Sequence, residues 1–173
     1  METCNCNCIK TPAPVLKLKK NYEDAILPTK AYSTDSGFDV YIHSFKKLVL
    51  KDETIISITE DDNIKIMPME RVLIDTGISA TVEPGYEIQV RPKSGLAIKN
   101  GLTVLNTPGT VDESFRDSIG VIVINLSNCS QILKKGMKIA QIVPMPVLLC
   151  EMVIVENLNE TERGNNGYGS TGV

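Results

Sequence analysis

In 173 residues there is one histidine, His43. A Ser-His-Asp triad could be built only on that residue, and no serine stands in the glycine-flanked elbow that exposes a nucleophile above a sheet. His43 is therefore expected at the surface. The chain also lacks G-x-x-x-x-G-K-[ST], which excludes a Walker-type nucleotide site. Long apolar runs are missing too. Stretches such as Val143 to Cys150 fall far short of the ~20 residues that cross a bilayer, so no membrane association is expected. Positive charge is not in excess: the formal net charge is −3. Without a basic stripe to neutralise phosphodiesters, binding to a nucleic acid polymer is disfavoured, although a few placed cations could still hold one nucleotide.

The five cysteines are an odd number, and Cys4, Cys6 and Cys8 fall within the first ten residues while Cys129 and Cys150 lie far away. Alternating Cys-x-Cys-x-Cys could bind a soft metal, but it lacks the C-x₂-C pairs and histidine partners of a zinc site. It reads as an exposed reduced tail. Met1 to Lys10 contain no apolar h-region of a secretory signal, so a cytoplasmic location is expected, or a nuclear one for a eukaryotic or viral source.

What the chain does have is the composition of one globular domain, 42% hydrophobic and 23% charged, long enough to bury roughly two-thirds of its unfolded surface. Short apolar or alternating stretches recur between turns: 15–18, 38–42, 48–50, 54–58, 71–74, 86–90, 102–105, 119–126, 138–143 and 152–155. That is a β pattern. Ile119 to Leu126 is apolar on both alternating faces, as in a strand buried between two sheets. Only Ser94 to Asn100 suits a short helix. Turns such as Glu83-Pro-Gly and Thr107-Pro-Gly punctuate the runs, and an all-β, jelly-roll-like sandwich or barrel is the expected fold class. The expected organisation is a cysteine-containing tail over 1–12, a β domain over 13–156, and a glycine-rich tail over 157–173 that is mobile until something orders it. Lys51 to Met67, with the acidic Glu60-Asp-Asp, reads as a surface loop.

Four places could carry chemistry. The tail combines Arg163 with glycines, Ser170 and Thr171, as needed to wrap a polyphosphate with backbone N–H groups and one guanidinium, although most glycine-rich tails are plain linkers. Arg91-Pro-Lys-Ser-Gly-Leu sets cations and a hydroxyl before the helix start, where anions dock; the bland alternative makes Ser94 an N-cap. In Asn106 to Arg116, Asp112 follows apolar β residues and could point inward as a base, or simply decorate a hairpin tip. Asp35-Ser-Gly-Phe-Asp39 is a tight turn with two carboxylates that could hold metal-bound waters, although turn capping explains Asp35 equally well.

In order and nearly in spacing, these four sites and Gly136-Met-Lys-Ile-Ala-Gln141 resemble the five motifs of the trimeric dUTP diphosphatase family, from about Ala31 to Gly172. The resemblance implies a jelly-roll-like subunit, a homotrimer, active sites at subunit junctions, and Mg²⁺-dependent hydrolysis of dUTP to dUMP and pyrophosphate. Such an activity limits uracil in DNA and supplies dUMP for dTMP synthesis. By the same resemblance Asp112 activates the water that attacks the α-phosphorus. Asn106 reads uracil, Gly109, Thr110 and Val111 present backbone to base and sugar, and Phe115 lies under the deoxyribose where a tyrosine is usual. Gly120 is carried over with this nucleotide-binding set. Lys93, Ser94 and Gly95 grip the triphosphate with Gln141, and Asp39 holds water on Mg²⁺. Arg163 neutralises the γ-phosphate, while Tyr168 and Gly169 belong to the lid, the tyrosine stacking on uracil.

The chain departs from the family pattern in places. Lys93 stands for arginine, losing its bidentate fork. Asp117 and Ser118 replace a glycine and the residue after it, Met137 replaces an aspartate, and the segment near Glu60 to Asp62 is longer than usual. A dCTP deaminase shares the implied fold and trimer but lacks this tail element. A dUTP-binding regulator using Lys51 to Met67 to engage a protein partner is the non-enzyme alternative; intact Asp112 and tail favour the hydrolase.

Overall fold

The computed structural model describes residues 14–59 and 62–166. In chain order it contains β1 (Lys17–Lys20), β2 (Phe38–Tyr41), β3 (Ser44–Val49), β4 (Ile55–Ser57), β5 (Asn63–Ile66), β6 (Arg71–Asp75), β7 (Ile78–Thr81) and β8 (Tyr86–Pro92). These are followed by α1 (Ser94–Asn100), β9 (Leu102–Val104), β10 (Gly109–Val111), β11 (Gly120–Asn125), β12 (Gln131–Lys134) and β13 (Lys138–Pro146). All strand pairing is antiparallel. A four-stranded sheet has the order β10-β8-β13-β2 and a five-stranded sheet the order β4-β3-β6-β11-β9, with the pairs β1-β7 and β12-β5 beside them. This is the all-β, jelly-roll-like sandwich expected.

The two large sheets share one core. Val40, Ile88, Val90 and Ile142 from the first pack in a single buried cluster with Val72, Ile74, Val121 and Val123 from the second. Alternation explains the choice of face: in β8, Ile88 and Val90 point inward while Glu87, Gln89 and Arg91 stay partly exposed. β11 lies between β6 and β9, so its apolar run is interior, not an edge, and Asn125 at its end is fully buried because its amide bonds the Ile66 and Cys129 carbonyls.

The helix occupies 94–100 as expected, but its cap does not. Lys93 is the N-cap with extended backbone, and Ser94 is already the first helical residue; no side chain caps this end. Gly101 closes the other end at φ 63°, and a Cβ there would lie 2.8 Å from the Ser127 backbone nitrogen, so glycine is required twice over.

Three expectations are corrected. The segment 51–67 is not simply a loop: β4 pairs with β3 and β5 with β12, because the Ile55–Ile56 and Ile64–Ile66 flanks carry strand pattern that the acidic run between them obscures. His43 is not a surface residue, since its side chain is 10% exposed, stacked on Tyr22 with ring centroids 4.2 Å apart and bonded through Nε2 to Asp24 at 3.1 Å. The stretch 152–155 forms no strand; Met152 and Ile154 are more than 90% exposed, for among the described residues no strand lies alongside it.

Candidate active site

Five residues, Asp39 of β2, Arg91 of β8, Lys93 at the N-cap of α1, and Lys138 and Gln141 of β13, gather at one end of the four-stranded sheet. Asp39 on β2 is opposite Gln141 on β13, and Gln141 is opposite Arg91 on β8. The buried Asp39 carboxylate accepts from Gln141 Nε2 at 3.2 Å and from Lys93, and Lys138 Nζ lies 3.0 Å from its second oxygen. Burial pushes the Asp39 carboxyl upward, but the bonds from Lys93, Lys138 and Gln141 outweigh it, so its pKa lies below the ordinary aspartate value. One carboxylate thus faces two ammonium groups with Arg91 adjacent in register, a net positive patch fit for an anion. Arg91 is braced by Gln89, whose Oε1 accepts from Nε at 3.0 Å and from Nη2 at 2.7 Å.

The structure brings together the side chains of Asp39, Lys93 and Gln141, which the sequence motifs single out, and adds Lys138, to which the sequence gave no role. Ser94 and Gly95 follow Lys93 on the exposed first turn of α1, and a Cβ at Gly95 would meet nothing within 4 Å. Upstream, the Asp35 carboxylate accepts from the Tyr32 N–H at 2.9 Å, which makes Asp35 a turn residue.

The second group lies on β10 and the loop after it. Gly109 is opposite Val90 and Val111 opposite Ile88. A Cβ at Gly109 would stand 3.2 Å from Asn106 Nδ2 and 3.4 Å from Val90 Cβ, so glycine lets Asn106 fold back over the strand. Thr110 points outward and Val111 is buried. Asp112 does not point inward as expected: Gly109 and Val111 are buried and Thr110 exposed, so the alternation of β10 turns the residue after Val111 outward. It is exposed beside a cavity of about 390 Å³ lined also by Tyr86, Glu87, Glu113 and Leu149. Phe115 donates its N–H to the Asp112 carbonyl at 3.0 Å, and the residue is 40% exposed. Gly120 begins β11 opposite Asp75, away from both groups.

Within one chain these groups do not meet. Asp112 follows the residue opposite Ile88, whereas the Asp39 cluster is level with Arg91. That is about 13 Å along the strands at ~3.3 Å per residue, and the sheet separates β10 from β2 by roughly another 14 Å at ~4.8 Å per strand. Arg163 donates from Nε to the Asn166 carbonyl at 3.0 Å in the exposed terminal segment. Tyr168 and Gly169 lie outside the described residues, as do Cys4, Cys6 and Cys8. Among the described residues no group of three His, Cys, Asp or Glu side chains could cage a metal ion, and no helix is long and apolar enough to cross a membrane.

The chain is 46% identical over 158 residues to a deoxyuridine 5'-triphosphate nucleotidohydrolase of Hydrogenobaculum sp., covering 91% of this chain and 98% of that protein. A protein of the same name from Clostridium novyi is 45% identical, with 91% and 99% covered. Among solved structures, a dUTPase of Staphylococcus bacteriophage 80alpha with dUpNHpp superposes with a TM-score of 0.74 at 21% identity, covering 92% of this chain and 99% of that one. Another, from phage phi11 of S. aureus, described with a structural Mg(II) ion, gives a TM-score of 0.67 at 18% identity, with 84% and 99% covered. The dUTPase family model matches residues 55–172, and with relatives this similar over nearly their full length, the chain belongs to the dUTPase family.

Proposed function

We propose that this protein hydrolyses dUTP to dUMP and pyrophosphate as a homotrimer, each active site combining the Asp39–Lys93–Gln141 cluster of one subunit with the Asn106–Phe115 segment of another and the tail of a third. The observation that carries the reading is the separation of two complementary half-sites. A general base must come within about 2.6–3.2 Å of the proton it takes. Asp112 and the cationic cluster of one chain are too far apart to serve one triphosphate, whereas copies related by rotation bring them together. The exposed apolar segment after β13, with Leu148, Leu149, Met152 and Ile154, supplies surface that assembly would bury.

In this reading Lys93, Lys138, Ser94, Gly95 and Gln141 hold the triphosphate. Asn106 and the backbone of Gly109, Thr110 and Val111 recognise uracil and sugar. Phe115 fills the space below the deoxyribose and Gly120 leaves room near the loop base. Asp112 takes a proton from water as the water oxygen bonds to the α-phosphorus, and the bond from that phosphorus to the bridging oxygen breaks to release pyrophosphate. Arg163, with Tyr168 and Gly169, closes over the nucleotide and excludes other water. The donor set fits Mg²⁺ carried by the nucleotide: a single carboxylate, Asp39, without an acidic cage, suits an ion that keeps several waters. When bound, that ion neutralises charge on the triphosphate. Pyrophosphate release measured from each deoxynucleoside triphosphate tests the proposal. Mg²⁺-dependent release from dUTP alone is expected, and equal turnover of dCTP or dTTP would overturn it.

A further inference from the structure

The loop joining β10 to β11 carries both Asp112 and Phe115, and both are exposed. Arg116 ties the middle of the loop to itself by donating from Nη1 to the Glu113 carbonyl and to the Phe115 carbonyl at 2.9 Å, and Thr81 Oγ1 of β7 lies 3.5 Å from the Glu113 carbonyl. The loop's placement against the sheets is set mainly at its two ends. The entry is held by the ladder of β10 against β8. At the exit, the chain is bound to the turn between β6 and β7. Asp75 is 5% exposed; one carboxylate oxygen accepts from the Gly77 N–H at 2.7 Å and from the Ser118 hydroxyl, and the other pairs with Lys46 Nζ at 3.0 Å. Next to it the Ile119 carbonyl accepts from Thr76 Oγ1 at 2.9 Å and from the Thr76 N–H at 3.2 Å, and the Ile119 N–H donates to the Ile78 carbonyl at 2.8 Å.

We infer that Asp75 is a positioning residue for dUTP hydrolysis: by holding the Ser118 hydroxyl it fixes the exit of the loop that sets Asp112 and Phe115 against the nucleotide. This rests on the proposed roles of Asp112 and Phe115. Asp75 is the buried acceptor that gives the Ser118 hydroxyl a partner. The bond is directed from a residue at the loop exit onto a buried carboxylate that the Gly77 N–H and Lys46 also hold. Hydrogen bonds to an ionised partner are about twice as strong as neutral ones. Removing the Ser118 hydroxyl leaves Asp75 with the Gly77 and Lys46 donors, so no buried charge is abandoned and the fold survives. The loop loses the side-chain anchor at its exit, and a freer exit presents the base and the sugar platform in the productive geometry less often.

The test compares full-length Ser118→Ala, Ser118→Thr, Asp75→Asn and Asp112→Asn with the parent by steady-state kinetics, thermal midpoint and amide hydrogen exchange. Ser118→Ala should raise KM for dUTP and lower kcat/KM by about tenfold, in line with loss of one charge-assisted bond. It should also erode the preference for dUTP over dTTP. Its thermal midpoint should stay near that of the parent, and exchange should quicken at residues 113–117 but not at 121–125. Ser118→Thr, which restores the hydroxyl, should recover the parent values, and Asp75→Asn should reproduce the loop exchange of Ser118→Ala. Unchanged kinetics and exchange in Ser118→Ala would overturn the inference. So would equal loss of protection in β11, which marks a general folding role. If Asp75→Asn fails to fold, Ser118→Ala and Ser118→Thr decide alone. Full turnover by Asp112→Asn would instead sink the assignment of the base, while the exchange data still judge the clamp.

Discussion

Lys138 and Gln141, three residues apart on β13, reach the same carboxylate, with Lys138 Nζ 3.0 Å and Gln141 Nε2 3.2 Å from the two oxygens of Asp39. In a regular strand an odd separation puts side chains on opposite faces. The register shift between Lys138 and Ala140 adds the extra residue that turns both to one face. The bulge thus builds the cationic cluster, and the consequences can be measured.

Lys93 bonds to Asp39, and the motif resemblance expects an arginine at its position. Lysine is a point charge on a flexible stem, whereas arginine offers a fork matched to two phosphate oxygens. Lys93→Ala should lower kcat/KM for dUTP by about tenfold or more, and Lys93→Arg should keep or raise it. Steady-state kinetics check this; an unaltered Lys93→Ala enzyme would shift the phosphate grip to Arg91.

Asp112→Asn should reduce turnover by about 10²–10⁴ while dUTP binding persists, since the amide keeps the shape but takes up no proton. Single-turnover rates and calorimetric affinity separate the two effects. A near-parental rate would exclude Asp112 as the base.

Gly109→Ala places a methyl 3.2 Å from Asn106 Nδ2 and 3.4 Å from Val90 Cβ. The Asn106 amide is the softer neighbour and must give way. The dUTP-to-dCTP ratio of kcat/KM should drop while the thermal midpoint changes little. Retained selectivity would mean that Asn106 does not read the base.

Asp39 and Asp75 are buried carboxylates held below the ordinary aspartate pKa. For Asp75, burial pushes upward and is outweighed by Ser118, the Gly77 N–H and Lys46. A depressed folded pKa means that the unfolded chain binds more protons as pH drops below about 4, so the stabilisation is present above that value and is lost as pH falls through the folded pKa. Urea midpoints between pH 7 and pH 3 should be level at first and then fall. Asp75→Asn should be less stable at pH 7 and show a shallower acid decline, and an unchanged decline would remove Asp75 from the account.

The proposed assembly predicts sedimentation at three times the 19.0 kDa chain mass. Shortening the chain after Thr161 should leave assembly intact, because the described part of that tail is exposed, but should abolish most activity. Monomer mass with full activity would refute the shared site.

The sequence by itself determined a good deal. Alternation located β2, β6, β8, β11 and β13, and the Ser94–Asn100 helix was legible to the residue because its flanks, Pro92 and Gly101, punctuate it. The motifs named Asp39, Lys93, Gln141, Asn106 and Asp112, since each depends on residue type and local spacing. What periodicity missed were short strands whose pairing is long-range: β5 is stabilised by β12, nearly seventy residues later, and its own few residues carry little signal. His43 was misplaced because its burial is created by Tyr22 and by the close approach of Gly77, neither visible from its own neighbours. Only the tertiary structure decided that Lys138 joins Gln141 on Asp39, that Asp75 holds Ser118, and that Asp112 stands apart from the cationic cluster of its own chain. Each depends on register between distant strands, and register follows from how whole faces pack into the core rather than from any residue's local preference.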